Sequence, residues 1–200
     1  DGARSDDDCV GFILKSLGKD EYVATHPVTA MDPLFSAREL FPQRANGGPK
    51  LPSNQRIDGI YHVSRPVSDQ LPVKERWLYK NFFSPAELAA AITQSRTDTY
   101  LQDSQRGLTV YMRANGNALL SYKCSGSAAE TALLAAQGET LQAELKAGTL
   151  SPFEFVLKVA AAGQLTVLKT GNVWDKLGRV GQDWRPFERI HQSFSPAFLS

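Results

Sequence analysis

The sequence contains few cysteines and histidines, and neither sign of charge predominates. Its 200 residues include 2 cysteines and 3 histidines, and 22 basic side chains stand against 21 acidic ones. Two cysteines exclude a disulfide scaffold and a cysteine-rich zinc module. A net charge of +1 without a basic block argues against a nucleic-acid-binding protein. No apolar run reaches the roughly 18 residues of a membrane span, so we expect a soluble chain.

The apolar content is that of a folded protein. Hydrophobic residues make up 42% of the chain, which is enough for a core. The sequence opens on Asp1 without a signal-like apolar stretch, which predicts a piece of a larger protein. We predict two units: an α/β domain over residues 1–126, and a helical C-terminal extension over residues 127–200 packed on it.

Alternating and continuous apolar runs predict the strands of a mixed sheet. A hairpin is expected over residues 9–28 with its turn at Leu17–Asp20, and a further strand at Ile57–Val63. A second hairpin is expected around the Asn115-Gly116 turn. The order of strands and helices predicts an α/β (α+β) fold with flanking helices.

Three Ser-x-x-Glu patterns predict helix starts. They begin at Ser84, Ser127 and Ser151, and each places a serine at the N-cap and a glutamate three residues later. Two stretches between the strands, 27–56 and 64–83, are expected to be long irregular loops. The aromatic residues near the C-terminus are expected to pack the last part of the chain onto the sheet; they are Trp174, Trp184 and Phe187.

Four stretches carry a resemblance to a known family. They are Asp8–Leu14, Tyr22–Val28, Gly59–Ser64 and Asn81–Glu87. In their order they resemble the JAB/MPN metalloproteases, and most closely the JAB-like domains of bacterial polymorphic toxins of the Rhs type. The family pattern is a Glu on the first strand, a His-x-His at the end of a later strand and a Ser-x-x-Asp at the next helix start. The corresponding positions here are Asp8, His62-x-Ser64 and Ser84-x-x-Glu87.

The resemblance implies a JAB/MPN-like mixed sheet and a zinc site at these positions. Such a site uses two imidazoles and a carboxylate as ligands, and the first-strand carboxylate activates a water. Carried over, the catalytic positions are Asp8, His62, Ser84 and Glu87, and the metal positions are His62 and Glu87. Ser64 stands where the second imidazole would be, and a neutral hydroxyl is a poor zinc ligand. We therefore expect an eroded metal site without a resident cofactor.

Together these features predict a pseudoenzyme of the peptidase fold. It would be a module of a larger bacterial protein of toxin or effector type and could be secreted as part of that protein. Its expected partners are a polypeptide and the other domains of the parent chain, and neither a nucleic acid nor a membrane. A zinc isopeptidase with altered ligands is the alternative on the same residues. A plain structural module, whose long loops serve a neighbouring domain, is a further alternative.

The same residues also have structural interpretations. Ser84 and Glu87 form a capping box whether or not they take part in chemistry. His62 near the end of an apolar strand is also typical of a hydrogen-bonded histidine at the rim of a core. Asp8, at the end of an acidic run, is also typical of a solvated residue.

A second candidate site pairs Cys9 with His26. With the turn at Leu17–Asp20, residues whose numbers sum to 37 face each other, which places Cys9 opposite Val28 and diagonal to His26. A thiol beside an imidazole can become a thiolate nucleophile for deamidation or peptide hydrolysis. A strand cysteine followed 17 residues later by a strand histidine resembles the glutamine deamidases of chemotaxis and of cytotoxic-necrotising-factor toxins. The alternative is a small buried structural cysteine.

Overall fold

A mixed β-sheet with helices packed against it forms the framework of the protein, as the sequence predicts. The computed structural model describes residues 9–29, 40–45, 50–63, 73–97, 109–125, 127–130, 132–133 and 138–186. Its strands are β1 (Cys9–Ser16), β2 (Tyr22–Ala24), β3 (Val28–Thr29), β4 (Gln55–Val63), β5 (Thr109–Arg113), β6 (Leu119–Lys123), β7 (Gln164–Lys169) and β8 (Gly178–Arg179). Its helices are α1 (Val73–Asn81), α2 (Pro85–Thr97), α3 (Ala128–Glu130), α4 (Gly138–Ala147) and α5 (Pro152–Ala162). The α+β class is thereby confirmed.

The sheet has the strand order β2-β1-β4-β5-β6-β7-β8, and β3 also pairs with β1. Strands β4 and β5 are parallel, and the other neighbouring strands pair antiparallel. The crossover between β4 and β5 contains α1 and α2. Strands β7 and β8 extend the sheet beyond residue 126, so the two parts of the predicted division share one sheet. The division itself stays a prediction.

One face of the sheet carries the apolar core. The register places Ile60 beside Val110, and Val110 beside Tyr122, so these side chains share a face. Buried residues of α1, α2, α4 and α5 cover this face near β5, β6 and β7; among them are Leu78, Leu88, Ile92, Leu141, Leu145, Phe155 and Val159. A smaller cluster lies over β1 and β4; it contains Val10, Phe12, Leu14, Ile57 and Ile60, with Val28, Leu40, Phe41 and Leu51 packed against it.

The predicted register of the first hairpin holds beside its turn and fails further along β1. Ile13 pairs with Ala24, numbers that sum to 37. Cys9, however, pairs with Thr29 and not with Val28, so that expectation is wrong. The cause is the break between β2 and β3, where Thr25 donates its N–H to the carbonyl of Phe12 and accepts the Phe12 N–H on its hydroxyl at 2.9 Å. One extra residue in this break shifts the ladder, as in a β-bulge.

The stretch 64–83 was expected to be irregular, and this is wrong for its second half, which contains α1. Helix α1 buries Trp77 and Leu78 in the core, and this packing stabilises it. Its C-terminal end is closed by the N–H of Phe82, which bonds to the carbonyl of Leu78 at 2.7 Å. Residues 64–72 lie outside the described part of the chain.

The predicted helix starts at Ser84 and Ser151 are confirmed, with both bonds of the capping box present at each. The box predicted at Ser127 forms only in part. The Ser127 hydroxyl accepts the N–H of Glu130 at 3.1 Å, but the Glu130 carboxylate turns inward to Tyr122. Burial beside the strand therefore decides the direction of this side chain.

The C-terminal aromatic packing is confirmed for both described tryptophans. Trp174 is fully buried, and its ring stacks on Trp184 at 4.6 Å between centroids. The Trp174 Nε1–H donates to the carbonyl of Asn81 at 2.9 Å, which ties this segment to the end of α1. Phe187 lies outside the described residues. No helix within the described ranges is long and apolar enough to span a bilayer.

Candidate functional site

The end of β4 and the start of α2 meet at one point of the fold. His62 is the last residue but one of β4, and it pairs with Met112 on the parallel strand β5. The crossover that joins these strands returns the chain so that the first turn of α2 lies beside His62. In open sheets of this kind, sites commonly form outside the carboxyl ends of parallel strands.

Three of the predicted site residues come together here. The Nδ1 of His62 lies 3.0 Å from Oε1 of Glu87. Oε2 of the same carboxylate accepts the backbone N–H of Ser84 at 2.8 Å, and the Ser84 hydroxyl accepts the N–H of Glu87 at 3.2 Å. The capping interpretation is therefore confirmed for Ser84 and Glu87, and their part in a functional site stays a prediction. We call His62, Ser84 and Glu87 the His–Glu site.

The His–Glu site is only partly open to solvent. The side chains of His62 and Glu87 are 13% and 25% exposed, and Ser84 is buried. A hydrogen bond between an imidazole and a carboxylate is strengthened by such partial burial. The arrangement can hold the imidazole in one orientation and one tautomer, with Nδ1–H directed at the carboxylate.

The donor set for a metal is incomplete in the described part of the chain. A zinc site of the expected kind needs three protein ligands, and His62 and Glu87 supply two. Asp8 and Ser64, the other positions carried over from the resemblance, lie outside the described residues. No cluster of three or more His, Cys, Asp or Glu side chains suited to a metal occurs among the residues that the structure describes. The described residues alone thus do not fit a zinc ion.

The two residues of the second predicted pair, Cys9 and His26, lie on different segments of the chain. Cys9 begins β1 and is half-buried, whereas His26 is exposed in the break between β2 and β3. Tyr61 lies between these regions, and its hydroxyl donates to the carbonyl of Thr25 at 2.5 Å. Burial raises the pKa of the Tyr61 phenol, and the nearby Cys9 adds to that rise. The register that suggested the pair is wrong, and the Cys9–His26 site stays a prediction.

Glu130, which the sequence pattern assigned to a helix cap, lies at the end of α3 and contacts Tyr122 of β6. Glu130 is fully buried, and its carboxylate accepts hydrogen bonds from the Tyr122 hydroxyl at 2.5 Å, the Ser125 N–H at 2.9 Å and the Ser125 hydroxyl at 3.1 Å. Burial, and then the bond to Glu130, raises the pKa of Tyr122. The sequence feature that could have revealed this cluster is Ser125, a second serine next to the predicted cap at Ser127. The cluster fixes the turn between β6 and α3.

No protein-family model, no curated protein and no solved structure matches this chain.

Proposed function

We propose that this chain is a JAB/MPN-like module with an eroded metal site, part of a larger bacterial protein of toxin or effector type, and that it acts by binding a polypeptide. The observation that carries the proposal is the bonding of Glu87. Both oxygens of its carboxylate already have partners within the chain, His62 on Oε1 and the Ser84 N–H on Oε2.

This bonding engages the two side-chain atoms that face each other in the His–Glu site. For Nδ1 of His62 and Oε1 of Glu87 both to ligate a zinc ion, the contact between them would have to break, and within the described part of the chain these two residues leave the ion one protein ligand short. The pair instead works as a clamp that joins β4 to α2. An imidazole N–H bonded to a carboxylate in this way is stable without a metal.

Binding of a polypeptide is supported by the edges of the sheet. At one end β2 is exposed over its whole length, with Tyr22 and Val23 each about half exposed. At the other end both residues of β8 are exposed. An extended segment of a partner can pair with such an edge through its backbone, and pockets beside the edge then select its side chains.

The test measures bound zinc and hydrolysis in parallel. Purified protein is equilibrated with zinc against a competing chelator and examined by native mass spectrometry, beside His62→Ala and the matched control Glu154→Gln. We expect less than stoichiometric zinc in all three proteins. One zinc per chain that is lost in His62→Ala and kept in Glu154→Gln would overturn the proposal and favour the zinc isopeptidase with altered ligands.

The hydrolysis arm uses a fluorogenic linear peptide and a lysine-linked isopeptide. We expect no turnover above the buffer rate. Turnover abolished by His62→Ala would show that the His–Glu site is catalytic, and turnover abolished by Cys9→Ser with His62→Ala unaffected would favour the thiol-dependent alternative. Either result would overturn the pseudoenzyme assignment.

A further inference from the structure

A groove borders the short edge strand β8. Its volume is about 490 Å³, within the range of roughly 300–1,000 Å³ typical of ligand sites. Its walls are β8 and the segment 181–186, and its lining includes Trp184 and Arg185. The groove lies far along the sheet from the His–Glu site, because β5, β6 and β7 separate β4 from β8.

The backbone N–H and C=O groups of Arg179 point away from β7, the strand with which β8 pairs. In the β7–β8 ladder the N–H of Val180 bonds to the carbonyl of Leu165, and Arg179 faces Thr166. Hydrogen-bonded and non-hydrogen-bonded pairs alternate in an antiparallel ladder, so the Arg179–Thr166 pair is of the second kind. The N–H and C=O of Arg179 therefore point outward, at the edge where a further strand would pair.

The residues next to Arg179 leave room for a partner backbone. Gly178 has a positive φ of 103°, and no atom of the described residues lies within 4 Å of the position that its Cβ would take. The side chain of Leu177 is 68% exposed. A bare backbone beside an exposed apolar side chain suits the approach of an extended chain.

Arg185 is held in place at the rim of the groove. Its Nη1 donates to the carbonyls of Trp184 at 2.7 Å and Gln182 at 3.4 Å, and its guanidinium lies 5.1 Å from the ring centroid of Phe153. Within the described part of the chain, Nε and Nη2 of Arg185 make no hydrogen bond or ion pair. A guanidinium fixed in this way presents its remaining N–H groups as a fork that matches a carboxylate.

The charges around the groove favour an acidic ligand. Three cationic side chains line it, against two acidic ones; they are Lys176, Arg179 and Arg185, with Asp175 and Asp183. Among the described residues, neither Lys176 nor Arg179 makes an ion pair. A carboxylate can therefore be bound without breaking an existing salt bridge, and the fixed Arg185 loses little side-chain entropy in binding it.

We propose that this groove binds an extended segment of a partner polypeptide, which pairs its backbone with Arg179 and places an aspartate or glutamate side chain on Arg185. The inference rests on the proposed function, since it names the surface through which the polypeptide binds. It identifies the partner by chemistry: an extended, acidic segment of protein.

The experiment titrates the full, ¹⁵N-labelled chain with the acetylated and amidated peptide Thr-Val-Thr-Glu-Thr-Val-Thr, followed by NMR. A second peptide with Gln in place of Glu is the matched control. We expect shifts at the Arg179 amide and at the Arg185 Nε–H, and about fivefold weaker binding of the Gln peptide, the loss expected for one charge-assisted hydrogen bond. Equal binding of the two peptides, or shifts at β2 in place of β8, would overturn the inference.

Variants of Arg185 distinguish the contribution of the guanidinium geometry from that of its positive charge. Arg185→Lys keeps the positive charge and loses the fork, and we expect about fivefold weaker binding of the Glu peptide. Lys146→Met, on the exposed side of α4, serves as the control and should bind as the unaltered chain does. Unchanged affinity in Arg185→Lys would overturn the role of the guanidinium.

Two further outcomes test the choice of occupant. Equal shifts at Arg185 with acetate at the same concentration would mean a site for any carboxylate and would overturn the polypeptide assignment. Slow hydrogen exchange of the Arg179 amide in the peptide-free protein would mean that this edge is already paired, within the chain or with a second copy. That result would also overturn the polypeptide assignment. Neither outcome bears on zinc or hydrolysis, so a failure here is distinct from a failure of the proposed function.

Discussion

The imidazole Nδ1 of His62 lies 3.0 Å from Oε1 of Glu87, so that the end of β4 is bonded to the first turn of α2. The same carboxylate closes the capping box with Ser84. A box of the same sequence type, Ser151 with Glu154, begins α5. These two helix starts are equivalent except that one also carries an imidazole contact, and this makes the contribution of His62 measurable.

We expect Glu87→Ala to lower the free energy of unfolding by about 1–3 kcal/mol, because it removes the cap and the bond to His62. Glu154→Ala should cost about 1 kcal/mol, the usual loss for a cap. Urea unfolding of both variants, of His62→Ala and of the double variant His62→Ala/Glu87→Ala measures the coupling between the two side chains. We expect a coupling of about 1 kcal/mol, since both groups are partly exposed. Additive losses in the double variant would show that the contact contributes nothing.

The buried pair of Tyr122 and Glu130 predicts a loss of stability at alkaline pH. Burial and the bond to Glu130 hold the pKa of Tyr122 above its ordinary value of 10.0. The folded protein then keeps the phenol proton at a pH where the unfolded chain releases it. This contribution is complete below about pH 10 and declines above it by about 1.4 kcal/mol per pH unit.

Tyr122→Phe checks this sign. At pH 7 the variant should be less stable by about 1–3 kcal/mol, because Glu130 loses a donor in the core. Between pH 10 and 11 the difference from the unaltered protein should shrink by about 1 kcal/mol, since the variant lacks one of the titrating phenols. Urea unfolding at pH 7, 8, 10 and 11 provides the measurement. A constant difference across this range would contradict the assignment.

Local patterns predicted local structure well. The Ser-x-x-Glu patterns at Ser84 and Ser151 determine helix starts through bonds within four residues, so no distant contact is needed to form them. Glu130 shows the limit of the same pattern: its carboxylate bonds to Tyr122 in the strand before it, and that choice depends on burial. Helix α1 shows the converse case, since the sequence patterns did not predict it and burial of Trp77 in the core stabilises it.

Long-range placement was predictable only in part. The meeting of His62 with Glu87 could not be obtained from spacing alone, because 24 residues, including helix α1, lie between the two positions in the sequence. The register at Cys9 was wrong because a single extra residue near Thr25 shifts the ladder. The groove at Arg179 leaves no mark in the sequence, since it depends on which strand ends the sheet.

The link between Trp174 and Asn81 should matter more than the exposed part of the same aromatic stack. Trp174 is fully buried, bonds to the Asn81 carbonyl and lies 5.8 Å from the ring of Phe82. Trp174→Phe should cost about 2–4 kcal/mol, since it leaves both a cavity and a buried carbonyl without its donor. Trp184→Phe, at a half-buried site, should cost about 1 kcal/mol. Chemical unfolding of the two variants gives the comparison, and equal losses would contradict it.

Two glycines lie on the sheet face opposite the helices. A side chain introduced at one would meet rigid backbone, and a side chain introduced at the other would meet a movable ring. A Cβ at Gly59 would lie 2.4 Å from the backbone oxygen of Thr109, on the parallel strand β5. A Cβ at Gly11 would meet the ring of Tyr61 at the same distance of 2.4 Å. A side chain can turn away at a modest cost, whereas the Thr109 carbonyl belongs to the β4–β5 ladder and cannot move without disturbing it.

Gly59→Ala should therefore destabilise the protein by about 1–3 kcal/mol more than Gly11→Ala, in line with overpacking against backbone. The Gly11→Ala variant should also release the Tyr61 hydroxyl from the Thr25 carbonyl, which ultraviolet absorbance of the tyrosines can detect. Urea unfolding measures both losses. Because the β4–β5 ladder sets the position of His62, Gly59→Ala should also weaken the measured coupling between His62 and Glu87, while Gly11→Ala should leave it intact. Equal coupling in both backgrounds would show that the His–Glu site does not depend on the exact spacing of β4 and β5.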